Sequence, residues 1–214
     1  LDNFHIKRSY KNVHYIYVQH SLISIHMAYN KSAFNNFDTI FCSASYQMKE
    51  INEIEKLYNL KIKKKLKHGY GKLDFLRKNY KLNDFNNNQV LIAPSWHKGS
   101  LIDNINILID NLLLNNYKII FRPHNETIIR SKKTISKIIS KYKNSKNFIF
   151  DNHLNNSSII KSEFLITDWS GIAYEYAFCT LKPVLFVNTQ KKINNDDYKN
   201  INLVPFEIYS RTEI

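Results

Sequence analysis

Residues 164–177, FLITDWSGIAYEYA, decide the fold. An apolar run enters Thr167 and Asp168, the chain turns at Ser170-Gly171, and the next residues have helical character. A buried strand that ends in polar residues and passes at once into a helix is the repeating unit of a parallel α/β sheet. In such a unit the first N–H groups of the helix lack intrahelical partners and the positive end of the helix dipole lies behind them, so the turn suits an anion. Ser170, Gly171 and the N–H of Ile172 are therefore candidate phosphate ligands, with Gly171 allowing close approach to the backbone. A helix merely capped by Ser170 fits the same pattern, and the residues alone leave both readings open.

Outward from this stretch the alternation continues. Downstream, KPVLFVNT (182–189) predicts another strand. Upstream, QVLIAPSW, YKIIFRPHN and NFIFDN predict strands, separated by helices over SLIDNINILIDNLLLNN, ETIIRSKKTISKIISKYKNS and NSSIIKS. Five strands with helices between them describe a complete Rossmann-like domain, placed at 85–214. Before the polar, aperiodic KLNDFNNNQ (81–89), which reads as a linker, VHYIYVQH (13–20), FDTIFCSAS (37–45) and a short third strand in KLKH predict part of a second such domain, at 1–84. A helix is expected over SLISIHMAYNKSAFNNF and another over YQMKEINEIEKLYNL, with a Gly-Tyr-Gly turn and a helix after the third strand. The opening at Leu1 without a Met, almost directly into a strand, suggests that upstream chain completes the first domain.

Ligands of such folds bind at the carboxyl ends of the strands. Read off in that way, the polar and aromatic residues there are Gln19 and His20; Ser43 and Ser45; Pro94, Ser95 and Trp96; Arg122, Pro123 and His124; and Asp168 to Gly171. His20 titrates in the range useful for removing a hydroxyl proton, although a surface histidine would look the same. Arg122 offers a planar fork of donors for phosphate, and His124 adds a donor or an acid two residues on. Asp168 belongs to the phosphate group as an orienter of its neighbours, and Glu175, one turn into the helix, would accept from ribose or substrate hydroxyls. Trp96, with Pro94 and Ser95, would wall or stack a nucleobase, unless Trp96 is a core residue. His5, His14, His26, His68, His97 and His153 are expected in lesser roles. The acidic pair Asp196-Asp197 is expected in a solvated loop.

The chain has 214 residues, 43% of them hydrophobic, and a formal charge of +13, which excludes disorder and suits anionic partners. An excess of Asn, Lys and Ile also explains the charge without any partner. Neither a P-loop nor a Gly-x-Gly-x-x-Gly occurs, so nucleotide hydrolysis and dinucleotide redox chemistry have little support. No metal-ligand spacing occurs and no cofactor is expected. Nucleic acid is not an expected partner, since no recognisable module is present. Cys42 and Cys179, far apart in apolar contexts, are expected as reduced buried thiols in a cytoplasmic protein.

The ordered series VQHSLISIHMAYNKSAFNNFDTIFC, HGYGKLD, LIAPSWH, FRPHN and LITDWSGIAYEYAFCTLKPVLFV resembles the CDP-glycerol glycerophosphotransferases, the bacterial teichoic acid and capsule polymer transferases of GT-B architecture. The resemblance implies a CDP-alditol donor held mainly by the second domain, a polymer or lipid-linked acceptor brought by the first, and CMP released. The family's His-Gly motif maps onto His20, its presumed base, with Ser21 in place of the glycine. Arg-Pro-His-Pro maps onto Arg122, Pro123 and His124, with Asn125 in place of the last proline. Asp-Tyr-Ser-Ser maps onto Asp168, Trp169, Ser170 and Gly171. A peripheral position on the inner membrane face is also implied, with the lysines at 61–67 and the basic helix 126–143 serving anionic lipid or acceptor phosphate. A GT-B enzyme using a CMP- or UDP-sugar, or a non-catalytic nucleotide-binding module, remains an alternative.

Overall fold

The computed structural model describes residues 7–80, 86–152 and 156–212. The chain divides into two compact units: Leu1–Gly71 together with Lys192–Ile214, and Lys72–Lys191. The division after Gly71 differs from the expected 84/85, and the segment from Lys192 returns to the first unit instead of ending the second. The physical reason lies in packing. Leu76 is buried with the core of the second unit, and Ile201 with that of the first. Residues 81–85 of the expected linker, and His5 and His153, lie outside the described residues.

The first unit holds a parallel sheet in the order β1-β2-β3, with β1 Ile16–Val18, β2 Thr39–Cys42 and β3 Lys64–Lys67. Tyr17, Ile40 and Cys42 point to one face, where they meet Ile25, Phe34, Phe37, Ile51, Ile54 and Ile201. Ile16, Val18 and Leu66 are exposed. Two helices belong to this unit's covered face, the four-residue α1 (Ile25–Ala28) and α2 (Ser45–Leu57), and α9 (Phe206–Thr212) comes from the returning segment. The helix expected across 21–37 is thus reduced to α1. The cause is competition for its acceptors: the carbonyls of His20, Ser21, Leu22 and Ile23 are taken by the Tyr70 hydroxyl, the Gln47 amide, the Tyr46 hydroxyl and again Gln47. Asn30, Asn35 and Asn36 then favour turns over a continued helix.

The second unit carries a five-stranded parallel sheet in the order β6-β5-β4-β7-β8. Its strands are β4 Gln89–Ile92, β5 Lys118–Phe121, β6 Phe148–Phe150, β7 Phe164–Thr167 and β8 Val184–Phe186. Alternation along the strands sorts the core. Val90, Ile92, Ile119, Phe121 and Ile166 face α4 (Ile105–Leu114) and α6 (Lys132–Tyr142), while Leu91, Ile120 and Leu165 face α3 (Gly71–Asn79), α7 (Ser157–Lys161) and α8 (Ile172–Thr180). Side chains of both periods therefore bury one continuous sheet on two faces. The single helix expected over 126–145 is two, α5 (Asn125–Arg130) and α6, because Ser131 leaves helical geometry at φ −121°, ψ 41°. Asp196 and Asp197 begin a 3-10 turn, and Asp197 meets Lys31 at 3.4 Å.

Candidate active site at the switch point of the five-stranded sheet

Strand order reverses direction between β4 and β7, the place where doubly wound sheets open a crevice at their carboxyl ends. The two loops that border it are tied together by buried hydrogen bonds. Thr167 Oγ1 donates to the Ala93 carbonyl at 2.7 Å, and Asp168 accepts from the Ser95 N–H at 2.7 Å and the Leu101 N–H at 2.8 Å. Asp168 is fully buried, so its carboxylate braces the loop after β4. Such a group, with both oxygens committed to backbone donors, is a loop organiser and not itself a phosphate ligand.

His97, expected in a lesser role, extends the brace. Its Nε2 donates to the Gln190 carbonyl at 2.6 Å, which leaves Nδ1 to accept from Ser95 Oγ at 2.6 Å. Gly99, at φ 74°, lies so close that an added Cβ would sit 2.5 Å from Gln190 Oε1. Trp169, expected near the phosphate turn, is buried, and its indole N–H donates to the Thr189 carbonyl at 3.2 Å. These loop-to-loop partners are remote in sequence, and no local signal points to them.

Trp96 and His124 come together from the loops after β4 and β5, ring centroids 6.2 Å apart, and the Arg130 guanidinium lies 5.6 Å from the Trp96 ring. Both rings are only partly buried. His124 is the N-cap of α5, its Nδ1 accepting from the Glu126 N–H at 3.1 Å. A neutral imidazole held in this way carries its proton on Nε2 and presents a donor there. Trp96 is thus half-buried between His124 and Arg130 and not a core residue, whereas Pro94 and Ser95 are buried.

Arg122 is 5% exposed and points inward. One guanidinium nitrogen donates to Asp151 at 2.6 Å and Ser158 at 3.0 Å, the other to Asn156 at 3.5 Å. Burial and this pairing make Arg122 a brace under the loop that carries His124, in place of the expected phosphate fork. Ser170 and Gly171 sit where expected, at the start of α8. Gly171 is the N-cap in helical geometry and no side chain caps the helix, so Ser170 is not the cap. Ser170 is half-buried and its carbonyl accepts from the Ala173 N–H at 3.2 Å. Glu175 is buried, and Lys72 donates to it at 2.6 Å, which neutralises it one turn into the helix.

His20 belongs to the first unit, just beyond β1, and is exposed. Its Nδ1 lies 2.8 Å from the Tyr17 hydroxyl. Cys42 and Cys179 are free and buried, and burial pushes the Cys42 thiol up to about 11. Among the described residues no group of three or more His, Cys, Asp or Glu could hold a metal ion.

No curated protein matches the chain. Solved structures similar to it include a histidine-to-asparagine variant of the wall teichoic acid polymerase TagF, at 20% identity and a TM-score of 0.44 over 73% of this chain and 40% of that one. The same variant soaked with CDPG for 30 minutes gives 22% identity and a TM-score of 0.45, over 73% and 39%. The chain spans about 40% of the length of these structures. The family model described as CDP-glycerol:poly(glycerophosphate) glycerophosphotransferase matches residues 3–205, and the chain belongs to that family.

Proposed function

We propose that the chain is the transferase part of an enzyme that moves a glycerol-phosphate-like group from a CDP-linked donor to an acceptor hydroxyl in teichoic-acid-like or capsular polymer synthesis. The family match over residues 3–205 carries this reading. The acceptor oxygen attacks the β-phosphorus, the bond from that phosphorus to the CMP oxygen breaks, and CMP leaves with the electron pair. His20 takes the acceptor proton. The Nε2–H of His124, Ser170 and the backbone N–H groups at the start of α8 receive the donor phosphates, supported by the loops after β5 and β4 that Arg122 and Asp168 respectively brace. Trp96, on its Pro94-Ser95 base, stacks the cytosine. Second-unit loops thereby act as the donor domain and the first unit as the acceptor domain of a GT-B enzyme.

Incubation with CDP-glycerol, CDP-ribitol, CMP-sugars and UDP-sugars, with a phosphorylated acceptor, tests this by CMP release. Turnover with CDP-alditols alone, lost by ~10²-fold or more in His20→Ala with donor binding kept, is the expected result. Turnover confined to sugar nucleotides, or a fully active His20→Ala, overturns the reading.

No described helix is long and apolar enough to cross a membrane. We place the protein in the cytoplasm, on the anionic inner membrane face, through the exposed Lys61, Lys64, Lys67, Lys132, Lys133 and Lys137. Vesicles rich in anionic lipid should retain it at low salt and release it at high salt. Equal retention on neutral vesicles would count against this.

A further inference from the structure

We infer that Glu126 and Arg130 bind the edge of the donor's base, and that this pair makes the site prefer cytosine to uracil. The inference rests on the reading above in which Trp96 stacks that base. Four residues of the second unit close a circuit of contacts. The Trp96 and His124 rings lie 6.2 Å apart, and His124 Nδ1 accepts from the Glu126 N–H at 3.1 Å. Glu126 Oε2 accepts from Arg130 Nε at 2.5 Å, and the Arg130 guanidinium lies 5.6 Å from the Trp96 ring. The ion pair is thereby held beside the aromatic residue from both ends, through the His124 cap on one side and by cation–π attraction on the other.

Neither stability nor phosphate binding accounts for this pair. The Arg130 side chain is 68% exposed and that of Glu126 36%, and an i,i+4 pair so open to water stabilises a fold very little. The carboxylate also cancels the guanidinium charge that would draw a diphosphate. What the pair offers is a row of groups of alternate kind. Glu126 Oε1 is an acceptor and Arg130 Nη1 and Nη2 are donors, all left available by the contact between Nε and Oε2. Cytosine carries the complementary row: its N4 amino group donates, and N3 and O2 accept. The carboxylate takes the N4–H and the guanidinium fork donates to N3 and O2. Uracil has a carbonyl oxygen at position 4 and an N–H at position 3. In the same pose its O4 faces the carboxylate and its N3–H faces the guanidinium, so two attractive contacts become repulsive.

The test is calorimetric titration of the whole chain with CMP and with UMP. The unaltered protein should hold CMP roughly 10- to 100-fold more tightly than UMP, the range that hydrogen bonds to charged groups supply. A glutamine amide can turn either its oxygen or its NH₂ toward the base, so Glu126→Gln should bring the two affinities close together. Arg130→Ala should weaken CMP by about 10-fold or more, and Arg130→Lys, which keeps the charge without the fork, should recover only part of that. The ratio of CMP to UMP affinity is taken within each variant, so a partial loss of folded protein does not move it. Equal affinities in the unaltered protein, an unchanged ratio in Glu126→Gln, or an unchanged CMP affinity in Arg130→Ala overturns the inference. Trp96→Ala separates this failure from that of the donor-site reading. If Trp96→Ala weakens CMP while the Glu126→Gln ratio stands, the base-edge assignment alone fails. If Trp96→Ala leaves CMP affinity intact, or the unaltered protein binds neither nucleotide, the placement of the base fails and this inference with it.

Discussion

Arg122 and Asp168 show how a residue chosen for chemistry can instead serve geometry. The side chain of Arg122 ends on Asp151, itself 13% exposed, so removing the cation strands a largely buried carboxylate. Arg122→Met is expected to cost about 3–5 kcal/mol in chemical denaturation, because it removes one partner of a buried ion pair together with its hydrogen bonds. Asp168→Asn keeps the shape but turns an NH₂ toward one of two backbone donors, and about 1–3 kcal/mol should be lost. Were Arg122 a phosphate ligand without a bracing role, its variant would lose donor affinity at unchanged stability. That His124 and Trp96 come together was legible, because each lies just past the carboxyl end of a strand and β4 pairs with β5. Asp151, Ser158 and Lys72, the partners that set what Arg122 and Glu175 can do, were not. They reach those residues across gaps of 29, 36 and 103 residues, and no periodicity records such a meeting.

Among the elements, the loops after β4 and β8 depend on contact without a side chain. Gly99→Ala would add a left-handed strain at φ 74° to a clash with Gln190, and should destabilise by about 1–2 kcal/mol, measured by thermal melting. The helix α9 makes a different prediction. Burial raises the pKa of Glu207, while its hydrogen bond from the Ser24 N–H works the other way, and Glu50 adds like charge nearby. The folded state then keeps a proton that the unfolded chain releases near pH 4.3. Stability from this group is complete below that pH and declines as pH rises toward the raised folded value. Glu207→Gln should flatten the fall in stability as pH rises above the unfolded value. The strands β1 to β8 were all legible, most of them as apolar runs bounded by polar residues, and β3, Lys-Lys-Leu-Lys, by its place ahead of the Gly-Tyr-Gly turn. Helices were less so: α1 is short because side chains from α2 and Tyr70 capture its would-be acceptors, and Ser131 interrupts an amphipathic pattern that runs unbroken through α5 and α6.

Over the whole molecule the segment from Lys192 is bound to the first unit by specific groups. Asn194 and Asn195 donate to the carbonyls of Ala28 and His26, both at 2.8–2.9 Å, the Phe206 N–H donates to Ser24 Oγ at 2.6 Å, and Ile201 completes the core. Ending the chain at Lys191 should expose the α1 region to proteolysis while leaving Lys72–Lys191 resistant. That division was not legible from composition, because the returning segment is polar and its attachment is made by single hydrogen bonds. A discontinuous unit also sets the order of events on the ribosome. Domains usually mature from the amino end as they emerge. Here residues 72–191 have their own core partners in hand first, and β1 to β3 must wait, incompletely covered, until the stretch beyond Lys191 clears the exit tunnel. Nascent chains arrested short of that point should yield a protected fragment covering 72–191 and none covering β1 to β3.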